Sequence, residues 1–381
     1  MILRTVTAAD FPGVQALHRQ VGWPERSLAG WRWLFDNPAR KAVDAPAGWV
    51  VEGEDGELLA HVGNMIQRFS FGARTLHGAT GFSIIVSPAA KGASRSLIRA
   101  FLKQPGVFAA YTLNANATSQ PIYSLFGMQA WPLATHALKL SWPVSVAPLV
   151  LGRLLKTALK IAPGPVSRMG EQLMNDRLGR TPHLEMSPGV ALIRSLRDQS
   201  RYSVFWDELA AEGRILADRS AATLRWRTSD PDQTTPPLIL SFNRERRITG
   251  YAMAVLAKTN ILEPPVLEIL DIQALADEAD AIPALMQTLL AAAKPLGAAK
   301  VRLQTVSPEL LTRLGAFADR ARREGGWGHC HVQFADDAPD PGLWSPTPFD
   351  GDYGACLRPV PIAKAGQARA VRAARPTAAK A

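Results

Sequence analysis

Residues 81–128 read GFSIIVSPAAKGASRSLIRAFLKQPGVFAAYTLNANATSQPIYSLFGM. The pattern predicts a strand (GFSIIVSP), a short glycine-containing loop (AAKGAS), a helix (RSLIRAFLK), a second strand (VFAAYTL) and then the stretch NANATSQPIYSLFGM, which carries Tyr123. A strand that feeds a loop of free backbone amides at a helix N-terminus is a ready anion site, because unpaired N–H groups and the helix dipole both favour phosphate oxygens. A tyrosine one strand further on is placed to protonate a leaving group. The order of these parts carries more information than the lone glycine loop would.

Two short patterns sharpen this. Ala89-Ala90-Lys91-Gly92-Ala93-Ser94 falls on Q/R-x-x-G-x-G/A, with Gly92 kept, Ser94 a small replacement and Ala89 standing where a basic or amide residue is usual. Asn116, Ser119, Ile122-Tyr123 and Gly127-Met128 fall on N-x-x-A-x-x-L-Y-x-x-x-G-F. On these residues the stretch resembles the acetyl-CoA-binding core of the GCN5-related N-acetyltransferase (GNAT) superfamily. The resemblance implies an α/β (α+β) fold and acetyl-CoA as co-substrate, with no metal. It implies that the strand at Ile84, Ile85 and Val86 binds the pantetheine arm and polarises the thioester. Lys91, Gly92, Ala93, Ser94 and Arg95 then hold the pyrophosphate, Asn116 stands near the thiol end, and Tyr123 protonates the departing thiolate.

Acyl transfer also needs a base for the amine, and no carboxylate lies on GFSIIV. His77, His61 and a water held by Thr80 and Ser83 are the candidates, histidine being the side chain that titrates nearest neutrality. His77 is taken with Tyr123 as the catalytic pair. Each histidine also reads as an ordinary hydrogen-bonded strand residue.

The opening segment fits the same architecture. ILRTV is a short strand, and Thr7 with Asp10 three residues on can cap the helix FPGVQALHRQV. LAGWRWLFDNPA predicts a second amphipathic helix stopped at Asn37-Pro38. GWVVEGEDGELLAHVGNM reads as a hairpin turning at Asp55-Gly56.

A repeat follows. Trp33 and Pro38 precede the first hairpin, and Trp226 and Pro231, five apart in the same way, precede the strand pair LILSFNRERRITGYAMAV. Strand, helix, strand then recurs over 267–306, without a glycine phosphate loop or a tyrosine before Gly315. The expectation is two tandem GNAT-like domains, each a mixed, mostly antiparallel sheet flanked by helices. Residues 1–135 form the cofactor-binding domain, 136–200 a basic connecting region, 201–338 a degenerate second domain, and 339–381 an extension with a disordered basic tail. This resembles the double-GNAT proteins of bacterial polysaccharide and cell-envelope loci.

Composition sets the outer limits. With 381 residues, 47% of them hydrophobic, the chain can build two real cores. Its two cysteines, Cys330 and Cys356, give neither a disulfide framework nor a zinc pattern, so a cytoplasmic location is expected. The net charge of +10 is concentrated in 139–180, with seven basic and two acidic residues, and in 359–381, with five basic and none acidic. Within the first of these, 148–162 predicts a helix with Arg153, Lys156 and Lys160 on one face and leucines opposite, either packed on the second domain or lying on an anionic membrane surface.

Three functions remain open at this level. The first is a CoA-dependent N-acyltransferase acting on a small amine, such as an amino sugar or cell-envelope precursor. The second is a FemAB-like aminoacyl-tRNA-dependent transferase, although nucleic acid is not the partner the phosphate loop implies. The third is a non-catalytic binding protein of the same fold.

Overall fold

A computed structural model describes residues 1–158, 170, 184–233, 235–258, 262–325 and 328–357. The expected end of the 148–162 helix, with Lys160, and the basic tail at 359–381 lie outside the described residues. Two mixed sheets are flanked by helices, as the sequence implied.

In the first sheet β1 (Ile2–Thr5), β2 (Gly48–Glu52), β3 (Leu58–Phe71) and β4 (Arg74–Val86) run antiparallel to their neighbours, and β5 (Ala109–Ala115) joins β4 in parallel. The edge beyond β5 is completed by β15 (His329–Phe334) and then β6 (Gln129–Ala130). A further short strand, β9 (Ile215–Ala217), pairs with the distal end of β3.

The second sheet has β8 (Val190–Leu192), β10 (Leu238–Arg244), β11 (Arg247–Ala257), β12 (Val266–Ala274), β13 (Lys300–Leu303), β7 (Lys139–Pro143) and β14 (Arg322–Glu324) in that order. Each step has the same sense as its counterpart in the first sheet, the single parallel pair again being the fourth. The halves therefore share one topology and exchange a strand. β7, from the region expected to connect them, pairs in the second sheet, and β15, from the expected second domain, pairs in the first. Each sheet is incomplete without chain from the other half, so the sheets do not divide at residues 135 or 338.

Local chemistry explains the elements around the site. Thr7 and Asp10 form a capping box on a single 3-10 turn, after which α1 (Phe11–Gln20) begins. Ser27 caps α2 (Leu28–Phe35) by accepting from Gly30 N. Asn37 does not merely stop that helix: its side chain caps the next, α3 (Pro38–Ala42), with Pro38 in the first turn. α4 (Ala93–Leu102) packs Leu97, Ile98 and Phe101 inward, and α5 (Gln120–Leu125) buries Tyr123.

The tryptophan repeat marks where the halves meet. Trp33 and Trp226 stack with ring centroids 4.6 Å apart and 13° between planes, and Trp33 Nε1 donates to Trp226 O at 3.0 Å. Equivalent residues touching each other are the mark of a self-complementary contact. Beneath them one apolar cluster crosses the boundary, with Phe69 and Tyr111 from the first sheet, Tyr251 from the second and Trp344 from the C-terminal segment all almost fully buried.

α6 (Val146–Ala158) buries Gly152 and Leu155 and leaves Val146, Val150 and Leu154 exposed in a stripe. No helix among the described residues is long and apolar enough to cross a membrane.

Candidate active site

The ladder between β4 and β5 is short. Gly78, Ala79 and Thr80 pair with Ala109, Ala110 and Tyr111, and beyond them the two strands continue without pairing. From Gly81 to Val86, β4 keeps β3 on one side and has no strand partner on the other among the described residues. The splay starts next to an irregularity: between His61 and Gly63, β4 carries one residue more than β3, and Ser83 in that bulge has φ of 50°. A bulge of this kind re-aims the backbone, and positive φ in a non-glycine residue is strain held by its surroundings. Here His61 Nδ1 sits 3.2 Å from Ser83 O. Gly63 makes room for the bend, since a Cβ there would fall 2.4 Å from the Phe82 ring.

A cavity of about 740 Å³ opens on this splay. β4 contributes Gly81 to Ile84, β5 and its continuation contribute Thr112, Asn114, Ala115 and Asn116, and α5 with its N-cap contributes Ser119 and Tyr123. α1 and α2 form another wall, and Asp352, Ala355, Cys356 and Leu357 of the C-terminal segment close it.

Tyr123 is 5% exposed, and burial holds its phenol above the ordinary value, with Asp352 adding to the effect. It is protonated at any working pH, the form that can give a proton. Asn116 Oδ1 accepts from Thr118 N at 3.0 Å and Ser119 N at 2.9 Å, an Asx turn that starts α5 and so sets where Tyr123 points. Asn116 lines the cavity as well, but its oxygen is engaged in building the turn.

The other residues singled out from sequence separate into groups. Ile84 lines the cavity, whereas Ile85 is buried and Val86 half-buried, both outside its lining. Gly92 caps α4 at φ of 92° with open space where a side chain would stand, Ala93 is buried beneath it, Ser94 is half-buried and Lys91 and Arg95 are exposed. This loop lies past the end of β4, outside the cavity lining. His77 is on β4 opposite Arg68, six residues before Ser83, which at strand spacing is roughly 20 Å away. It is not brought to the cavity.

His61 is there, fully buried, and desolvation lowers it to about 4, so it is neutral at physiological pH and a weak base. Asp352 supplies the carboxylate that sequence reading did not find, the one acidic side chain among the described residues lining the cavity. Its Oδ2 accepts from Cys356 Sγ at 2.9 Å. Its place in a Pro- and Gly-rich segment without periodicity gave no signal of a site.

In the second half the corresponding stretch carries an ion-pair network. β12 and β13 pair over 266–269 and 300–303, and β12 then runs on past its partner as β4 does. Beside it Asp271 accepts from Arg219 Nε at 2.6 Å, from Thr347 Oγ1 at 2.8 Å and from the Tyr251 hydroxyl. A void of about 20 Å³ lined by Trp33, Met65, Trp226, Met253 and Leu270, from both halves, has room for about one water. No group of His, Cys, Asp and Glu that could hold a metal ion occurs among the described residues.

No protein-family profile matches this sequence, and no curated protein matches it. Among solved structures it is similar to a GCN5-related N-acetyltransferase from Anabaena variabilis, at TM-score 0.51 and 11% identity over 87% of this chain and 72% of that one. It is similar to N-myristoyltransferase from Saccharomyces cerevisiae with bound myristoyl-CoA, at TM-score 0.52 and 10% identity over 87% of this chain and 77% of that one. A protein of unknown function from Enterococcus faecalis, described as a probable N-acyltransferase, matches at TM-score 0.50 and 12% identity over 87% and 72%. At such identities the likeness is one of fold: the chain is folded as the GCN5-related N-acetyltransferases are.

Proposed function

We propose that this chain is an acyl-CoA-dependent N-acyltransferase that moves an acetyl group from acetyl-CoA to a small primary amine. The observation that carries the reading is the splay of β4 from β5, which exposes strand amides of β4 to a cavity that also holds a buried, protonated Tyr123. An arm rich in amide groups, such as pantetheine, can pair with that open strand edge as an added strand would. Its pyrophosphate then reaches the N-terminus of α4, where Gly92 leaves the backbone open and Lys91 and Arg95 supply charge.

The amine nitrogen attacks the thioester carbon, the N–C bond forms, and the carbonyl oxygen takes negative charge next to the β4 backbone at the Ser83 bulge. Collapse breaks the C–S bond. Tyr123 gives its proton to the thiolate, and the proton lost by the attacking amine passes to Asp352, directly or through water. His77 has no part in this scheme because it is outside the cavity. The C-terminal segment contributes by bringing Asp352 to the site.

The exposed stripe Val146, Val150 and Leu154, flanked by Arg153, supports contact of α6 with an anionic membrane surface.

Incubation with acetyl-CoA and a primary amine is expected to release one free thiol for each amide formed, both measured in the same reaction. Thiol release without amide, or neither product, would contradict the proposal.

A further inference from the structure

The class of amine follows from the walls of the cavity and rests on the acyltransferase reading above. The portion contributed by α1, the turn after it and α2 is faced by Val14, Trp23, Pro24, Trp31 and Leu34. Polar side chains occur there too, and one atom of each of three is engaged by the protein. Gln15 Oε1 accepts from Arg26 N at 2.7 Å, His18 Nδ1 is 2.9 Å from Pro24 O, and Trp31 Nε1 donates to Ala8 O at 3.1 Å. The Arg26 guanidinium, 6% exposed, is held 3.1 Å from Asp230 and 3.5 Å from Asp232, and it donates to Ala355 O.

A hydroxyl-rich acceptor entering this wall would lose water against mainly apolar side chains, which disfavours it. A phosphorylated acceptor would meet an arginine already neutralised by two carboxylates. An apolar body meets surface it can bury, and an aromatic one can stack on Trp23, whose ring is part-exposed and edge-on to His18 at 6.0 Å.

We infer that the acceptor is a primary amine carried on an apolar, aromatic body, of the arylalkylamine class, and not the amino sugar that the sequence resemblance implied. The apolar wall sets the preference, and Trp23 is its outer element.

The test compares kcat/KM at saturating acetyl-CoA for 2-phenylethylamine, tryptamine, glucosamine and a nucleotide-linked amino sugar. The arylalkylamines are expected to exceed the sugars by about tenfold or more, the scale on which apolar pockets discriminate. Trp23→Ala, a change at the rim that leaves the core intact, is expected to raise KM for 2-phenylethylamine about tenfold while calorimetry gives an unchanged Kd for acetyl-CoA. A faster reaction with either sugar, or an unmoved KM in Trp23→Ala, overturns the inference alone. A parent protein that does not bind acetyl-CoA overturns the acyltransferase reading and this inference with it.

Discussion

Replacing Tyr123 by Phe is expected to lower kcat by roughly 10²–10⁴-fold, the range of a positioned general acid, while leaving the Kd for acetyl-CoA nearly unchanged. The hydroxyl is asked to act only when the thiolate departs, so its loss falls on the chemical step. The ring itself stays: it is 5% exposed, packed with Ile98, Ala115 and Met128, and the Phe variant keeps that packing. Because α5 is started by the Asn116 turn and not by Tyr123, the backbone should not move. Steady-state kinetics with calorimetry on the same preparation separates the two effects. Turnover equal to the parent's would remove Tyr123 from the mechanism.

The largest expected loss of stability is in the second half. Arg219 is 1% exposed, with Asp271 at 2.6 Å and Asp350 at 3.3 Å, and it holds together β12 and the C-terminal segment. Burial pushes Asp350 up from the usual carboxylate value, and the guanidinium opposes this. Arg219→Ala leaves two buried carboxylates without that cation and is expected to cost about 3–5 kcal/mol, the range for breaking a buried pair from one side. Urea unfolding with Arg219→Lys as control measures it, the lysine keeping charge but not the fork. A loss under about 1 kcal/mol would show that Tyr251, Thr347 and the backbone satisfy Asp271 without arginine. Since the same segment carries Asp352 to the site two residues after Asp350, the alanine variant should also lose turnover.

What was legible in the sequence was local. The hairpin at Asp55-Gly56 follows from a turn between alternating strands, and Gly56 has φ of 78° there. The order of strand, loop and helix from Gly81 is set by residues close in sequence, and the fold follows it. The Trp33 and Trp226 segments match over more than the Trp–Pro spacing: Arg26 and Arg219 stand seven residues, and Ser27 and Ser220 six, before each Trp, with each serine capping its helix. That extension needed only the two segments set side by side.

The exchange of β7 and β15 was not legible. A strand of five or six residues shows by its alternation that it pairs, but not with which sheet, and β15 pairs with β5 more than 200 residues away. The same limit hid Asp352. His77 was selected for its chemistry on the right strand, but the strand is 13 residues long and the site occupies its other end. The degeneracy of the second half was read from a missing glycine loop. The Arg219 network beside β12 joins residues far apart in sequence, which no local pattern encodes.

The central claim is that acyl-CoA lies along the open edge of β4 with its pyrophosphate at the N-terminus of α4. Isothermal titration of the full chain with acetyl-CoA, beside Gly92→Asp, tests it most directly. Gly92 has φ of 92° and nothing within 4 Å of an added Cβ, so the substitution places a negative charge at the proposed phosphate position without a clash in the fold, although its backbone is strained. The account predicts saturable one-site binding by the parent and none by the variant, with both retaining a cooperative thermal transition. Absence of binding by the parent, or equal affinity in Gly92→Asp, would contradict it.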